Sequence, residues 1–391
     1  MEAFDAVIIG AGAAGLMCAL TAGQRGRRVL LLEHGGQPGA KILISGGGRC
    51  NFTNLEITPE RFLSANPHFC KSALSRYSQR DFIAMVERHH IAYHEKTLGQ
   101  LFCDGSAREI LAMLLAESDA AGVDLRVGHS VTSIARADRF RIETNRGSFT
   151  ASALVIATGG LSIPKLKATG FAYETARRFD LAVIEPRPGL APFKVDKELL
   201  AVIQPLSGVS VGATVSCGRQ SFRESILFTH RGLSGPAILQ ISSYWRGGDT
   251  LSIDLAPDIE VESFLKDRKR SRPKAELKTV LAEILPSRLA QAIADSVAAE
   301  GPIANVPDRT LGAVASRLKR WQVTPTESEG WAKAEVTVGG VDTASLSSKT
   351  MEARKVPGLF LIGEAVDVTG WLGGYNFQWA WSSGWCAGQA V

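Results

Sequence analysis

Residues 6–33, AVIIGAGAAGLMCALTAGQRGRRVLLLE, change character twice. AVIIG is a short β-branched run, AAGLMCALTAGQRG has helical spacing, and RRVLLLE is a second apolar run of strand length. That order predicts a βαβ unit. Gly10, Gly12 and Gly15 stand in G-x-G-x-x-G spacing where the first strand meets the helix. The first glycine permits a tight turn, the second lets a pyrophosphate approach the backbone, and the third lets helix and strand pack closely. Unpaired N–H groups and the positive end of the helix dipole then face the anion. Glu33 closes the second strand 18 residues after Gly15, where a carboxylate accepts hydrogen bonds from an adenosine ribose and repels a 2′-phosphate. The unit is expected to hold the ADP half of a dinucleotide. Packing alone would account for the glycines but not for Glu33.

With 391 residues and 45% hydrophobic side chains, the chain can build about two or three domains with a sizeable core. A net charge of +5 is too small and too scattered to point to a nucleic-acid or membrane partner. The six cysteines (Cys18, Cys50, Cys70, Cys103, Cys217 and Cys386) form no C-x-x-C pair, so neither a disulfide framework nor a zinc site is expected. Glu2 and Asp5 stand where a secretory signal needs basic residues, and no apolar run reaches membrane-spanning length. A reducing cytoplasm is the expected location.

Beyond residue 33 the pattern departs from a plain nicotinamide-binding domain. The second strand runs into HGGQPGAKILISGGGRCNFTN instead of another amphipathic helix. Residues 60–125 are mainly helical, and 124–160 read as short strands ending in the buried strand ALVIATGG. A proline-rich crossing, EPRPGLAPF, hands over to a mixed segment with strands such as GVSVGATVSCG and helices such as VESFLKDRKR. The chain then returns to a buried strand in GLFLIGEAVD. The expected domains are 1–189, the N-terminal part of the nucleotide-binding domain; 190–334, an α+β insert; and 335–391, the C-terminal part of the first domain.

Three apolar strands therefore deliver glycine or acid to their carboxyl ends: Gly10 and Glu33, then Thr158, Gly159 and Gly160, then Gly363 and Glu364. Carboxyl ends of parallel strands are where such sheets bind ligands. Convergence from both ends of the chain suits an extended ligand, FAD rather than NAD. A carboxylate at Glu364 could bind sugar-alcohol hydroxyls as Glu33 binds ribose. The segment DVTGWLGGYNFQWAWSSGW predicts a glycine loop feeding a helix near Asn376, whose N-terminus would stabilise an anionic reduced flavin by up to about 2 kcal/mol.

Taken together, GAGAAGLMCA, GAKILISGGGRCNFTN, FTHRGLSGPAILQ, EVTVGGV and GLFLIGEAVDVTGWLGGYNFQWAWSSG resemble the HI0933/YhiN-like flavoproteins, a family of NAD(P)/FAD-dependent oxidoreductases that includes aminoacetone-oxidase-type FAD-binding enzymes. The resemblance covers nearly the whole chain. It implies an α/β fold: a glutathione-reductase-like Rossmann FAD domain interrupted by an α+β insert with a β-barrel-like part. It also implies that Gly10, Gly12, Ala13, Ala14, Gly15, Glu33 and His34 hold the ADP half, with backbone near Val131 touching adenine. Lys41, Gly46, Gly47, Gly48, Arg49, Cys50 and Asn51 would run under the ribityl chain and isoalloxazine. Thr158, Gly159, Gly160, Gly363, Glu364, Gly374, Asn376 and Phe377 would close from the other side.

Catalytic roles stay open at this level. Cys50 is a candidate redox partner, but no second cysteine follows at dithiol spacing. Arg49 could stabilise negative charge or simply form a salt bridge. His230 and Arg231 could present a proton donor or anion clamp, and a helix-start role for their motif fits better. Trp371, lying before the terminal helix, could touch substrate, whereas Tyr375, Trp379, Trp381 and Trp385 fit a packed core. The basic run KDRKRSRPK, 266–274, lacks interleaved aromatics and is read as a solvated face, so nucleic acid is not expected as a partner. His89, His90 and His94 lack a completing ligand set, and no metal is expected.

The functional expectation is an FAD-dependent oxidoreductase acting on a small organic substrate. NAD(P)H is the expected transient reductant, because no second G-x-G-x-x-G unit exists to house it. Two alternatives stand beside it: an amine or aminoketone oxidase using O₂, and a non-catalytic FAD-containing RNA- or partner-binding module.

Overall fold

In the computed structural model, which describes residues 1–391, strand β1 (Glu2–Ile9), helix α1 (Ala13–Gln24) and strand β2 (Val29–Glu33) form the expected βαβ unit. β1 and β2 run parallel, with Ala6 opposite Val29 and Ile9 opposite Leu32. Val7, Ile8, Leu30 and Leu31 are wholly buried. Both faces of the sheet are covered, which is why these strands read as continuous apolar runs and not as alternation.

The sheet extends on both sides of this pair. Asp124–Val127 lies outside β2, while the long strand Gly147–Ile156 lies on the other side of β1, also parallel. The end of that strand, Leu154–Ile156, pairs with Leu359–Leu361 from the far end of the chain. Its first half pairs instead with Phe140–Thr144, antiparallel, and that strand pairs in turn with Val131–Arg136. The winding reverses between β1 and Gly147–Ile156, and in an open α/β sheet this switch point leaves a crevice beyond the strand ends.

Helix α1 is buried from Ala14 to Gly23, and its partner is the C-terminal helix Tyr375–Gly388. Gly384 and Gly388 make this crossing possible. A methyl at Gly384 would lie 2.5 Å from the Ala14 carbonyl oxygen, and one at Gly388 2.7 Å from that of Cys18. Arg25 at the end of α1 donates to the carbonyls of Gly388 and Val391, at 2.9 and 2.8 Å. The two chain ends are therefore locked together beside the sheet.

The chain divides into two units, Met1–Arg187 with Val336–Val391, and Pro188–Glu335. The second contains a seven-stranded sheet in the order Trp321–Val323, Leu251–Asp254, Ser210–Cys217, Gln220–Phe228, Gly232–Ser234, Phe193–Lys194, Glu327–Ser328. Its two edge strands are consecutive in sequence, separated only by residues 324–326, so the sheet must curl back toward itself. No ladder joins the edges. The expected barrel-like part is thus an open, curled sheet, flanked by helices that include Pro236–Ser242 and Asp308–Lys319.

No helix in the chain is long and apolar enough to cross a membrane.

Overpacking at a backbone-to-backbone contact costs about 1–3 kcal/mol. Gly384→Ala is accordingly expected to melt several degrees lower and to lose flavin more readily on gel filtration, read by thermal denaturation and flavin-to-protein absorbance. An unchanged melting temperature would mean that the two helices have room to spare.

Candidate active site

At the end of β1 the chain turns through Gly10, at φ +105°, where a side chain would lie 2.6 Å from the Ala157 carbonyl oxygen. Gly15 sits over the same turn, and a methyl there would lie 1.9 Å from the Gly10 carbonyl. Gly12, by contrast, faces open space. Leu16 is the first α1 residue whose N–H is taken up within the helix, bonding Gly12 O at 2.9 Å. The N–H groups of Ala13, Ala14 and Gly15 are left to point out of the first turn, as an anion site requires.

Glu33 stands beside this turn, its side chain 13% exposed. One carboxylate oxygen accepts from Ala11 N at 3.0 Å and the other from Gly35 N at 2.6 Å. Each oxygen keeps a lone pair for a ribose hydroxyl. His34 lies against the same carboxylate, 3.4 Å from Oε1. The Gly128–His129 backbone bonds Gly35 O and Glu33 O, both at 2.9 Å, and Val131 follows at the start of the next strand. This brings the 128–131 segment alongside the ribose position.

The next strand end carries Thr158, whose hydroxyl is buried without a hydrogen-bond partner. A buried orphan hydroxyl is rare in a finished structure and marks a place where a polar group belongs. Gly159, at φ +74°, faces open space, whereas Gly160 packs so closely that a methyl would lie 2.2 Å from Thr337 Oγ1.

Deeper in the crevice, four segments meet at Glu364. Lys41 Nζ lies 2.5 Å from Glu364 Oε2 and 2.5 Å from Ser162 Oγ. Ser162 Oγ donates to Glu364 Oε1 at 2.9 Å, and Thr337 N donates to the same oxygen at 2.9 Å. Glu364 was expected to bind sugar-alcohol hydroxyls; here its Oε1 accepts from Ser162 and the Thr337 backbone, while Oε2 accepts from Lys41 and keeps a lone pair. Lys41 keeps more freedom: its ammonium has three donors, and two are used here.

The glycine loop lies on the same side as Lys41, directly after the short helix Ala40–Ile44. Gly46, Gly47 and Gly48 all take left-handed backbone, at φ +56°, +68° and +86°, and the last two face open space. The loop offers backbone without side chains, which suits close contact with a flat ring. Arg49 is exposed at its end. Cys50 is fully buried and its thiol is pushed up to about 12, first by burial, against an opposing hydrogen bond with Ser45. A nucleophilic or redox thiol does not agree with that environment. Asn51 ties the loop down, its amide donating to Thr53 O and Leu101 O at 3.1 and 3.2 Å and accepting from Gly374 N at 3.2 Å.

From the opposite side comes the start of the C-terminal helix. Gly374, its N-cap at φ +96°, is pressed against the Thr53 backbone, where a methyl would lie 2.3 Å from the carbonyl oxygen. The Asn376 side chain is engaged locally, accepting from Gly370 N at 2.8 Å and donating to Gly370 O and Trp371 O at 2.9 and 3.2 Å. Phe377 stacks on Trp381, with ring centres 5.5 Å apart. The side chains of Asn376 and Phe377 thus shape the helix start. Trp379 and Trp381 are core residues whose indoles donate to Gly363 O and Phe52 O, at 3.0 and 2.8 Å. Trp371 is half-buried, with the Arg61 guanidinium 5.6 Å from its ring centre.

His230 is exposed in the insert, in a turn bonded by Thr229, and Arg231 pairs with Glu329 at 3.4 Å. Gly235 and Pro236 then start a helix, which agrees with the helix-start reading of that motif. His89 pairs with Glu117 and His94 with Asp104.

The open side of Gly12, the free first-turn donors, Glu33 and the orphan Thr158 hydroxyl fit the polar length of FAD, and the bare Gly46–Gly48 backbone fits its ring. Sequence reasoning did not find Ser162 and Thr337, which hold Glu364 from positions with no motif of their own.

The family model described as "HI0933-like protein Rossmann domain" matches residues 4–390. The chain is 53% identical to the ribosomal RNA dihydrouridine synthase of Escherichia coli (strain K12), over 100% of this chain and 98% of that protein. It is 28% identical to a 3-dehydro-bile acid delta(4,6)-reductase of Clostridium scindens, over 98% of each. Among solved structures, a 3-ketosteroid-delta4-(5alpha)-dehydrogenase from Rhodococcus jostii RHA1 shares the fold, with TM-score 0.50 at 13% identity, covering 99% of this chain and 97% of that one.

Two outcomes are expected. Glu33→Ala should weaken FAD binding by about 1.5–3 kcal/mol, the worth of hydrogen bonds to a charged group, measured by titrating the stripped protein with FAD; unaltered affinity would remove Glu33 from the site. Cys50→Ser should keep flavin and turnover within a few-fold of the parent. Because only the thiolate reacts, Cys50 in the native protein should also resist alkylation at pH 8 and become reactive on denaturation, as peptide mass spectrometry would reveal.

Proposed function

The chain belongs to the HI0933-like family of FAD-dependent oxidoreductases, and from that premise we propose that it reduces the uracil ring of a uridine in ribosomal RNA to dihydrouracil. The observation that carries this reading is 53% identity, end to end, with a protein of that named activity. The more distant relative is named as a reductase of the 4,6 positions of a 3-dehydro bile acid, which is also reduction of a carbon–carbon double bond in conjugation with a carbonyl. The shared chemistry is narrower than "oxidoreductase" and suits uracil, whose C5=C6 bond is conjugated with C4=O.

In this reaction a hydride adds at C6 and a proton at C5, while NAD(P)H is oxidised to NAD(P)⁺. Bound FAD supplies the two-electron relay between them. The chain's own residues supply position and charge. The bare backbone of Gly47 and Gly48 would let the flavin ring lie close to the chain without meeting side chains. Hydride addition at C6 moves negative charge toward O4, so a fixed cation in the crevice lowers the barrier. Lys41 is the residue we assign to that role: Glu364 and Ser162 hold its ammonium in place and leave one N–H uncommitted. A substrate within ribosomal RNA also means that the protein works where ribosomes are assembled, in the cytoplasm.

The test is incubation of the holoprotein with NADH or NADPH and ribosomal RNA from cells lacking the modification, followed by nucleoside mass spectrometry. One uridine should gain two hydrogens, and none should change without the protein. Production of hydrogen peroxide from an amine, with no change in RNA, would replace this reading by the oxidase one. Lys41→Gln should retain flavin and lose about 10²–10³-fold in RNA turnover, as loss of a charge-stabilising donor does elsewhere; full activity would remove Lys41 from the chemistry.

A further inference from the structure

An enzyme that acts on a base within a large RNA needs cations that are free to meet phosphates. The obvious source, the run at 266–274, is largely committed within the insert. Lys266 faces Glu262, Arg268 and Arg272 share Glu283, Lys269 faces Asp308 and Arg270 faces Asp267. Phosphate would have to compete with these carboxylates.

The loop 161–169, LSIPKLKAT, presents the opposite case. It leaves the strand end at Gly160 and enters the crevice at once through Ser162, which is fully buried and bonded to Lys41 and Glu364. The backbone then turns outward through Ile163 at φ +58°, Pro164 and Lys167 at φ +63°. A β-branched residue in left-handed backbone is unusual and persists only where surrounding contacts force it. Here the forced turn is closed by Leu166 N to Ile163 O at 2.9 Å and Lys167 N to Pro164 O at 2.8 Å. Its result is that Lys165 and Lys167 are both exposed, a few residues from the buried Ser162, and neither is paired with a carboxylate.

We propose that Lys165 and Lys167 form a phosphate clamp at the rim of the flavin crevice, gripping the RNA backbone next to the uridine being reduced. This rests on the reading that the substrate is ribosomal RNA. Placement carries the argument: two free cations, on a turn held in strained backbone, are anchored through Ser162 to the lysine assigned to the chemistry. The clamp contacts backbone and reads no sequence, so it contributes affinity and salt dependence in place of base choice.

The experiment compares the holoprotein with the K165Q/K167Q and R268Q/R270Q variants. Binding of a fluorescent, unmodified ribosomal RNA fragment is measured by anisotropy across a range of salt concentrations, with flavin content as the check on folding. Losing two phosphate contacts on single-stranded RNA should flatten the slope of log affinity against log salt by about 1.4, and weaken binding by about tenfold or more at near-physiological salt. R268Q/R270Q should bind within about twofold of the parent. If the parent binds and K165Q/K167Q binds equally well with the same slope, the clamp is wrong while the RNA reading stands. If R268Q/R270Q carries the loss instead, the contact belongs to the insert and the clamp is equally wrong. A parent that neither binds nor reduces the RNA overturns the substrate and the clamp together.

Discussion

The contact on which the rest depends is the crossing of α1 and the C-terminal helix at Gly384 and Gly388. Because these glycines let the helix backbones approach, the segment that precedes the C-terminal helix is held against the first turn of α1. Gly363 N donates to Ser383 Oγ at 3.0 Å, and a methyl on Gly363 would lie 2.8 Å from the Ala14 methyl. The pyrophosphate turn and the Gly363–Glu364 strand end therefore share one crevice, although they lie some 350 residues apart in the chain. Larger residues in the seam would move one wall of the cofactor site relative to the other.

Inside that crevice, charge is arranged economically. Glu33 and Glu364 are both partly buried carboxylates, yet their environments assign them different work. Glu33 is held by two backbone N–H groups and keeps acceptor capacity for a ligand. Glu364 accepts from three protein donors and holds Lys41 in place. Carboxylates at the ends of two parallel strands thus differ in what holds them: backbone N–H groups for Glu33, side chains of other segments and the Thr337 N–H for Glu364. The thiol nearest the glycine loop stays silent for a matching reason: burial holds Cys50 as the neutral thiol, so no second redox couple competes with the flavin.

Much of this was legible in the sequence because it rests on local signals. The βαβ unit, the glycine turn and the strand ends at Gly159 and Gly363 each combine an apolar run with a backbone need that only glycine meets. The core role of Trp379 and Trp381 followed from their place in a tryptophan-rich helical segment, which the structure buries on nearly every side. What escaped notice is non-local. Ser162 and Thr337 reach Glu364 across 202 and 27 residues, and Lys41 across 323, with no periodicity to announce the meeting. Asn376 looked like a ligand residue because it stands at a helix start, but the carbonyls it satisfies belong to the turn before it. The run at 266–274 looked like a solvated face because two of its partners are distant in sequence: Glu283 lies in the turn after the helix Leu277–Leu281 and Asp308 in the helix Asp308–Lys319. The open insert sheet escaped for a similar reason, since closure depends on how edge strands meet and no strand's composition records that.

The central claim is that chain ends locked by two glycines build a flavin crevice whose electrons go to a uracil ring in RNA. It is tested most directly by reducing the holoprotein photochemically without oxygen and mixing it with unmodified ribosomal RNA in a stopped-flow spectrophotometer. The account predicts that yellow absorbance returns in a single turnover, with one dihydrouridine formed per flavin. A flavin that stays bleached until air is admitted, with the RNA unchanged, would contradict it.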